Sequence, residues 1–257
     1  MKVKHNTKFN LDYRVGFNSL LPDDTISLPG LMEYVQEASL YHTNSIPGAF
    51  DYYDKMNWVW VLTHWQVEVY NTPKVADTIN ISTWAVGYKA YFGERGFEVV
   101  DAGGKRLLAA NSNWILLDRT NYKPVRPTEY IAQKYGERHP FLIPKDFSMP
   151  KAEVFDPLSN HGYIATRRDM DTNNHVNNVN YLKWIYDFIP EDLYLNHRPI
   201  SLKVAYKKET HPGDTLHISL FDRKIAATVN HTETFATIEK NGQIATEIYI
   251  KWEKVIN

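Results

Sequence analysis

Apolar side chains recur at positions 28, 31, 32, 35 and 38 of Leu28-Pro-Gly-Leu-Met-Glu-Tyr-Val-Gln-Glu-Ala-Ser-Leu-Tyr-His42, the spacing that lines one face of a helix. A second helical rhythm runs from Val176 to Ile189 through Val179, Leu182, Ile185, Tyr186 and Ile189. After each helix the pattern changes to strand-like segments. In the first half these are Thr63–Val69, Thr78–Trp84, Phe92–Val100 and Leu107–Leu117. In the second they are Leu202–Lys207, Thr215–Phe221, Ala226–Val229, Glu233–Ile238 and Ile244–Trp252. The alternations Leu216/Ile218/Leu220 and Ile248/Ile250/Trp252 are the period of two expected of half-buried strands. Asp101-Ala-Gly-Gly-Lys105 and Lys240-Asn-Gly-Gln243 read as hairpin turns, where glycine supplies the positive φ of a tight connection.

Matching features of the two halves are offset by about 140 residues, the mark of an internal duplication. Between them Pro140, Pro144, Pro150 and Pro157 follow one another too closely for a helix or a central strand. The expected organisation is therefore a first unit at 1–138, a proline-rich linker at 139–157 and a second unit at 158–257. Each unit would be a long, broadly apolar helix wrapped by a curved antiparallel sheet, an α+β architecture.

The halves differ chemically in one place. Arg167-Arg-Asp-Met-Asp-Thr-Asn-Asn-His-Val-Asn-Asn-Val-Asn-Tyr-Leu-Lys-Trp184 brings a carboxylate, amides and an imidazole to the start of the second helix. Asp171, Asn173 and His175 alternate, so in extended backbone they would project to one side. The plain structural reading is a polar loop ending in a helix cap at Asn177 or Asn178. Against it stands the equivalent stretch of the first half, Leu20-Leu-Pro-Asp-Asp-Thr-Ile-Ser-Leu-Pro-Gly30, which starts a helix without histidine or asparagine. Backbone N–H groups near His175–Asn177 would then be candidates to stabilise a developing oxyanion.

Composition narrows the chemistry. The chain has no cysteine among 257 residues, which removes thiolate zinc sites, iron–sulfur clusters and cysteine nucleophiles. A net charge of −1 is wrong for a protein that grips nucleic acid through phosphates, whatever its aromatic content suggests. No segment has the roughly 18 consecutive apolar residues of a membrane helix, and Met1–Phe9 has no apolar core behind its charges, so a cytoplasmic protein is expected. No H-E-x-x-H occurs, and His161, His197, His211, His217 and His231 are scattered without ligand spacing, so no metal or other cofactor is expected.

The stretch Asp169-Met-Asp-Thr-Asn-Asn-His-Val-Asn-Asn-Val-Asn-Tyr181 resembles the signature of the fatty acyl–acyl-carrier-protein (acyl-ACP) thioesterases of plants and bacteria, which are tandem hotdog proteins. Leu31-Met-Glu-Tyr-Val-Gln-Glu-Ala38, Trp58-Val-Trp-Val-Leu-Thr63, Asp77-Thr-Ile-Asn-Ile-Ser-Thr-Trp84 and Ser112-Asn-Trp-Ile-Leu-Leu-Asp118 are similar to that family's first domain. The resemblance implies a double hotdog that hydrolyses fatty acyl-ACP, with catalytic residues at Asp171, Asn173, His175 and Glu209. Many plant members carry a cysteine directly after that glutamate; Thr210 stands there in this chain. Direct attack by water, with Glu209 or Asp171 as base, is the expected chemistry, and attack by Asp171 to form an anhydride is the covalent alternative.

The first unit would hold the acyl chain, with Met32, Val35, Gln36, Trp58 and Trp60 as candidate lining residues. The implied partner is acyl carrier protein bearing a phosphopantetheine-linked fatty acyl chain. Arg167, Arg168, Lys207 and Lys208, with Lys203, flank the site in sequence and are candidates for docking that acidic partner. An acyl-CoA thioesterase and a non-catalytic acyl-binding protein are the alternatives, and a homodimer is compatible with the sequence.

Overall fold

The computed structural model describes residues 8–171, 175–224 and 231–255, which fall into two compact units, one within Met1–Thr63 and Tyr70–Lys145 and one within His64–Val69 and Asp146–Asn257. The first contains β1 (Phe9–Arg14), α1 (Leu28–Ser45), α2 (Ala49–Met56), the start of β2 (Trp58–Val69), β3 (Thr78–Lys89), β4 (Phe92–Asp101), β5 (Arg106–Asp118) and α3 (Glu129–Lys134). Its strands lie in the order β1-β3-β4-β5-β2, and β1 with β3, β3 with β4 and β4 with β5 pair antiparallel.

Helix α1 begins where its local chemistry dictates. The Ser27 hydroxyl accepts the Gly30 N–H at 3.3 Å, and Pro29 occupies the first turn, where a missing N–H costs nothing. Leu28, Leu31, Met32, Val35 and Ala38 are all buried, so the sequence rhythm marks the core face. On β4, Gly96 makes room for the fully buried Trp84, because a β-carbon there would stand 2.5 Å from the indole. Gly96→Ala is therefore expected to overpack the sheet by about 1–3 kcal/mol. Thermal denaturation would show the loss as a lowered Tm, and an unchanged Tm would contradict it.

The second unit contains β6 (Asp156–Ile164), α4 (Asn178–Phe188), α5 (Glu191–Asn196), β7 (His197–Tyr206), β8 (Thr215–Lys224), β9 (His231–Lys240) and β10 (Gln243–Lys254). The strand order is β7-β10-β9-β8-β6, and His64–Glu68 of β2 pairs antiparallel with β7. Helix α4 buries Val179, Tyr181, Leu182, Trp184 and Ile185 and stops before Pro190, which caps α5. The β9–β10 hairpin turns through Asn241 and Gly242 with φ of 53° and 70°, two left-handed residues that match the twist of the strands.

Several elements go beyond the sequence reading. β1, α2, α3, α5 and β6 carry no expectation above. Strand β6 contains Pro157, and it is tolerated because β6 ends the strand order, where a missing N–H breaks no central ladder. The strand expected at Ala226–Val229 lies outside the described residues.

Candidate active site

Asp171 and His175 are bonded to one another ahead of α4. Asp171 N–H donates to the His175 carbonyl at 2.8 Å, and Asp171 Oδ1 accepts the His175 N–H at 3.3 Å. Met170 and Val176 form an antiparallel bridge around them. Asp171 and His175 thus face one another, which corrects the expectation that these two alternate along one strand face. A short polar side chain such as Asp171 that bonds nearby backbone competes with regular strand pairing. Asn173 lies outside the described residues.

Asp169 anchors this loop. It is buried, and its Oδ2 accepts from the Thr166 N–H at 2.7 Å and the Thr166 hydroxyl at 2.8 Å. The Tyr163 hydroxyl donates to the same carboxylate at 3.2 Å. The Asp169 carbonyl in turn accepts from Asn177 N–H at 2.7 Å and Asn180 Nδ2 at 2.9 Å. Thr166-x-x-Asp169 is a capping box, a pattern that four neighbouring residues of the sequence spell out. Asn177 caps α4, its side chain accepting the Val179 N–H at 3.0 Å, as one of the two expected caps.

Glu209 arrives from the other side of the unit. Beyond β7 the N–H groups of Lys207 and Lys208 share the Ala245 carbonyl at 2.7 and 3.1 Å, an irregularity that ends the regular ladder. Val176 N–H then donates to the Thr210 carbonyl at 2.9 Å, and the buried Tyr206 hydroxyl donates to the Asn178 carbonyl at 2.8 Å. These two bonds fix the loop after β7 against the start of α4. His175 Nε2 is thereby held 3.4 Å from Glu209 Oε2, with both side chains partly open to solvent. Burial pushes the neighbouring Tyr181 phenol up to about 12, against the opposing pull of hydrogen bonding to Thr210.

The same frame corrects the oxyanion expectation. The N–H groups of His175, Val176 and Asn177 already donate to Asp171 Oδ1, the Thr210 carbonyl and the Asp169 carbonyl. Donors committed to the loop's own architecture are not free to receive a developing negative charge.

His211 joins His175 and Glu209. The imidazoles of His175 and His211 meet edge to face with centroids 4.9 Å apart, and one ligand atom from each of the three residues lies within 4.8 Å of the others. The scattered appearance of His211 in the sequence is thus corrected by the fold, because the loop carrying it is bonded to the loop carrying His175.

The remaining candidates are distributed as follows. In the first unit, Met32 and Val35 are buried on α1 and Gln36 is half-buried. Trp58 and Trp60 pack on a cluster that includes Tyr53, Ala85, Leu116 and Tyr135, and Trp60 Nε1 donates to the Tyr53 hydroxyl at 2.9 Å. In the second unit, Arg167 and Arg168 are exposed on a 3₁₀ turn two to four residues before Asp171. Lys207 pairs with Glu247 at 2.7 Å and Lys208 with Gln243. Lys203 is bound to Asp146 at 2.5 Å and to the Ser148 carbonyl at 3.0 Å, so it points into the unit's own loops. No helix among the described residues is long and apolar enough to cross a membrane.

Comparison with known proteins gives a consistent picture. The acyl-ACP thioesterase N-terminal domain pattern matches residues 6–135, and the C-terminal domain pattern of that family matches residues 155–254. The palmitoyl-acyl carrier protein thioesterase of Gossypium hirsutum is 26% identical over 80% of the chain and 53% of its own length. The oleoyl-acyl carrier protein thioesterase 2 of Arabidopsis thaliana is 25% identical over 79% of the chain and 58% of its own length. The chain thus spans a little over half of these plant relatives. Two solved structures share the fold across nearly the whole chain. An acyl-ACP thioesterase from Bacteroides thetaiotaomicron superposes with a TM-score of 0.82 at 22% identity, covering 96% of this chain and 98% of that one. A 12:0-ACP thioesterase from Umbellularia californica superposes with 0.83 at 20% identity, covering 97% and 95%.

Proposed function

The chain belongs to the acyl-ACP thioesterase family, by matches over both of its halves, and from that premise we propose that it hydrolyses fatty acyl-ACP to free fatty acid and carrier-protein thiol. The observation that carries this reading is the pairing of His175 Nε2 with Glu209 Oε2 at 3.4 Å beside the start of α4. Glu209 takes a proton from water as the water oxygen attacks the thioester carbonyl carbon, and His175 orients the carboxylate and the water. The tetrahedral adduct collapses by breaking the carbon–sulfur bond. The departing thiolate of the phosphopantetheine arm is a good leaving group and takes up the proton.

Asp171 serves as a positioning residue in this scheme, because its Oδ1 accepts the His175 N–H. With the backbone donors of 175–177 committed, the oxyanion falls to side-chain donors, and the amide of Asn173 is the residue of suitable chemistry. Thr210 takes the position where a thiol stands in many plant members, so the reaction runs without a cysteine.

Met32, Val35, Gln36, Trp58 and Trp60 of the first unit line the acyl-chain site in this reading, and Arg167, Arg168, Lys207 and Lys208 meet the acidic carrier. The test is a panel of acyl-ACP and acyl-CoA substrates of varied chain length, assayed across ionic strength. The kcat/KM for acyl-ACP is expected to fall steeply with salt while that for a small acyl thioester stays level. Faster turnover of every acyl-CoA than of the matching acyl-ACP would overturn the choice of carrier.

A further inference from the structure

His175, Glu209 and His211 form a donor set that general acid–base hydrolysis does not require in full. Two imidazoles and a carboxylate are a combination that suits zinc, with a fourth position left for water. Bond lengths of about 2.0–2.2 Å to such an ion place neighbouring ligand atoms roughly 3.4 Å apart in a tetrahedron. His175 Nε2 and Glu209 Oε2 already stand 3.4 Å apart. The third ligand atom lies within 4.8 Å of both, and His211 is the half-exposed member whose ring can turn without breaking the core.

The frame behind these side chains is fixed. Val176 N–H to Thr210 O at 2.9 Å joins the two ligand-bearing loops through the residues adjacent to the ligands. Lys240 Nζ donates to the Glu209 carbonyl at 2.8 Å and to Asp214 Oδ2 at 2.8 Å, clamping the turn that carries His211. Asp214 Oδ2 also lies 3.9 Å from His211 Nδ1. The same Asp214 Oδ2 accepts the His211 backbone N–H at 2.8 Å, which fixes the base of that side chain.

We propose that His175, Glu209 and His211 bind a divalent transition-metal ion of the zinc type reversibly, and that its occupancy switches hydrolysis off. The inhibitory half of the proposal rests on the thioesterase reading above; the binding half does not. A bound ion takes the carboxylate that would accept the proton from water and the imidazole that orients it, so metal and catalysis compete for the same atoms. Magnesium and calcium are poor candidates because two of the three donors are imidazoles.

Zinc chloride titrated calorimetrically into the purified, tag-free protein tests this. Wild type is expected to show a 1:1 binding step that weakens at least tenfold in His211→Ala and in Glu209→Gln. Cobalt(II) in place of zinc should give the intense visible absorption of a four-coordinate ion, lost in the same variants. Zinc is expected to inhibit wild-type hydrolysis over the concentration range of that step, EDTA should reverse it, and His211→Ala should need at least tenfold more zinc for half-inhibition. A zinc step of equal affinity in His211→Ala, or none below millimolar zinc, would overturn the proposal. So would hydrolysis that continues unchanged with the step saturated. A protein that hydrolyses no acyl thioester yet loses its zinc step in His211→Ala would separate the outcomes: the site would stand and the functional reading would fall.

Discussion

Glu209→Gln is expected to lower kcat for acyl-ACP hydrolysis by about 10²- to 10⁴-fold, the usual contribution of a positioned general base. Glutamine keeps the size of the side chain and its hydrogen-bonding oxygen but cannot accept the proton from water. The fold should survive, because Glu209 is bonded to Lys240 through its backbone carbonyl and its carboxylate is 30% exposed. KM should change little, since the carboxylate acts on the water rather than holding the acyl chain. His175→Ala should fall in the same range. Asp171→Asn should cost less, because an asparagine Oδ1 can still accept the His175 N–H that Asp171 accepts at 3.3 Å. The opposite ranking, with Glu209→Gln near wild type and Asp171→Asn inactive, would move the chemistry to Asp171. After single-turnover hydrolysis in labelled water, label in an enzyme carboxylate would then identify Asp171 as the nucleophile, because direct attack by water labels only the fatty acid.

The second large effect concerns stability in acid, and it comes from the first unit. Arg95 Nη1 lies 2.8 Å from His42 Nδ1 and 3.2 Å from the Thr83 hydroxyl, with its guanidinium 5.5 Å from the centre of the Tyr135 ring. An arginine is always a donor, so His42 Nδ1 accepts and the ring carries its proton on Nε2. Burial, and secondarily the Arg95 charge, push the His42 imidazole from its ordinary 6.5 down to about 3. In the unfolded chain the ring takes up a proton near 6.5, whereas in the folded chain it does so only near 3. Between these values the unfolded state binds more protons, so stability is fully present above the upper value and is lost as pH falls through the window. The slope is about 1.4 kcal/mol per pH unit for this one group. His42→Asn keeps an acceptor for Arg95 and removes the titration. Urea unfolding at pH 7.5 and at pH 4.5 should show the wild type losing about 2–3 kcal/mol more than the variant between the two conditions. Equal losses would show that His42 does not carry the effect.

Much of the second-unit site is local and was therefore legible. The cap at Asn177 and the apolar rhythm of α4 are set within a few residues of each other, and the side-chain types announce both. The hairpin at Asn241-Gly242 is equally local, because its two positive φ values need those residues. Where the reading failed, a local pattern had two solutions. Asp171-x-Asn173-x-His175 fits an extended strand face by its spacing, but the bonds between Asp171 and His175 set these two opposite one another. The oxyanion expectation failed for a related reason. Helix N-terminal N–H groups are open in general, but here the carbonyls of Asp169 and Thr210 take them.

By itself the sequence determined the alternation of helices and strands, the absence of a thiol at Thr210 and the cap that begins α4, because each is written in residues that are neighbours along the chain. The tertiary structure alone decided that His175 meets Glu209 and His211 and that His42 meets Arg95. Those meetings depend on which strands pair and in what register, and on a few long-range bonds such as Val176 N–H to Thr210 O. Periodicity says which face a side chain takes; the register of distant segments determines what it faces.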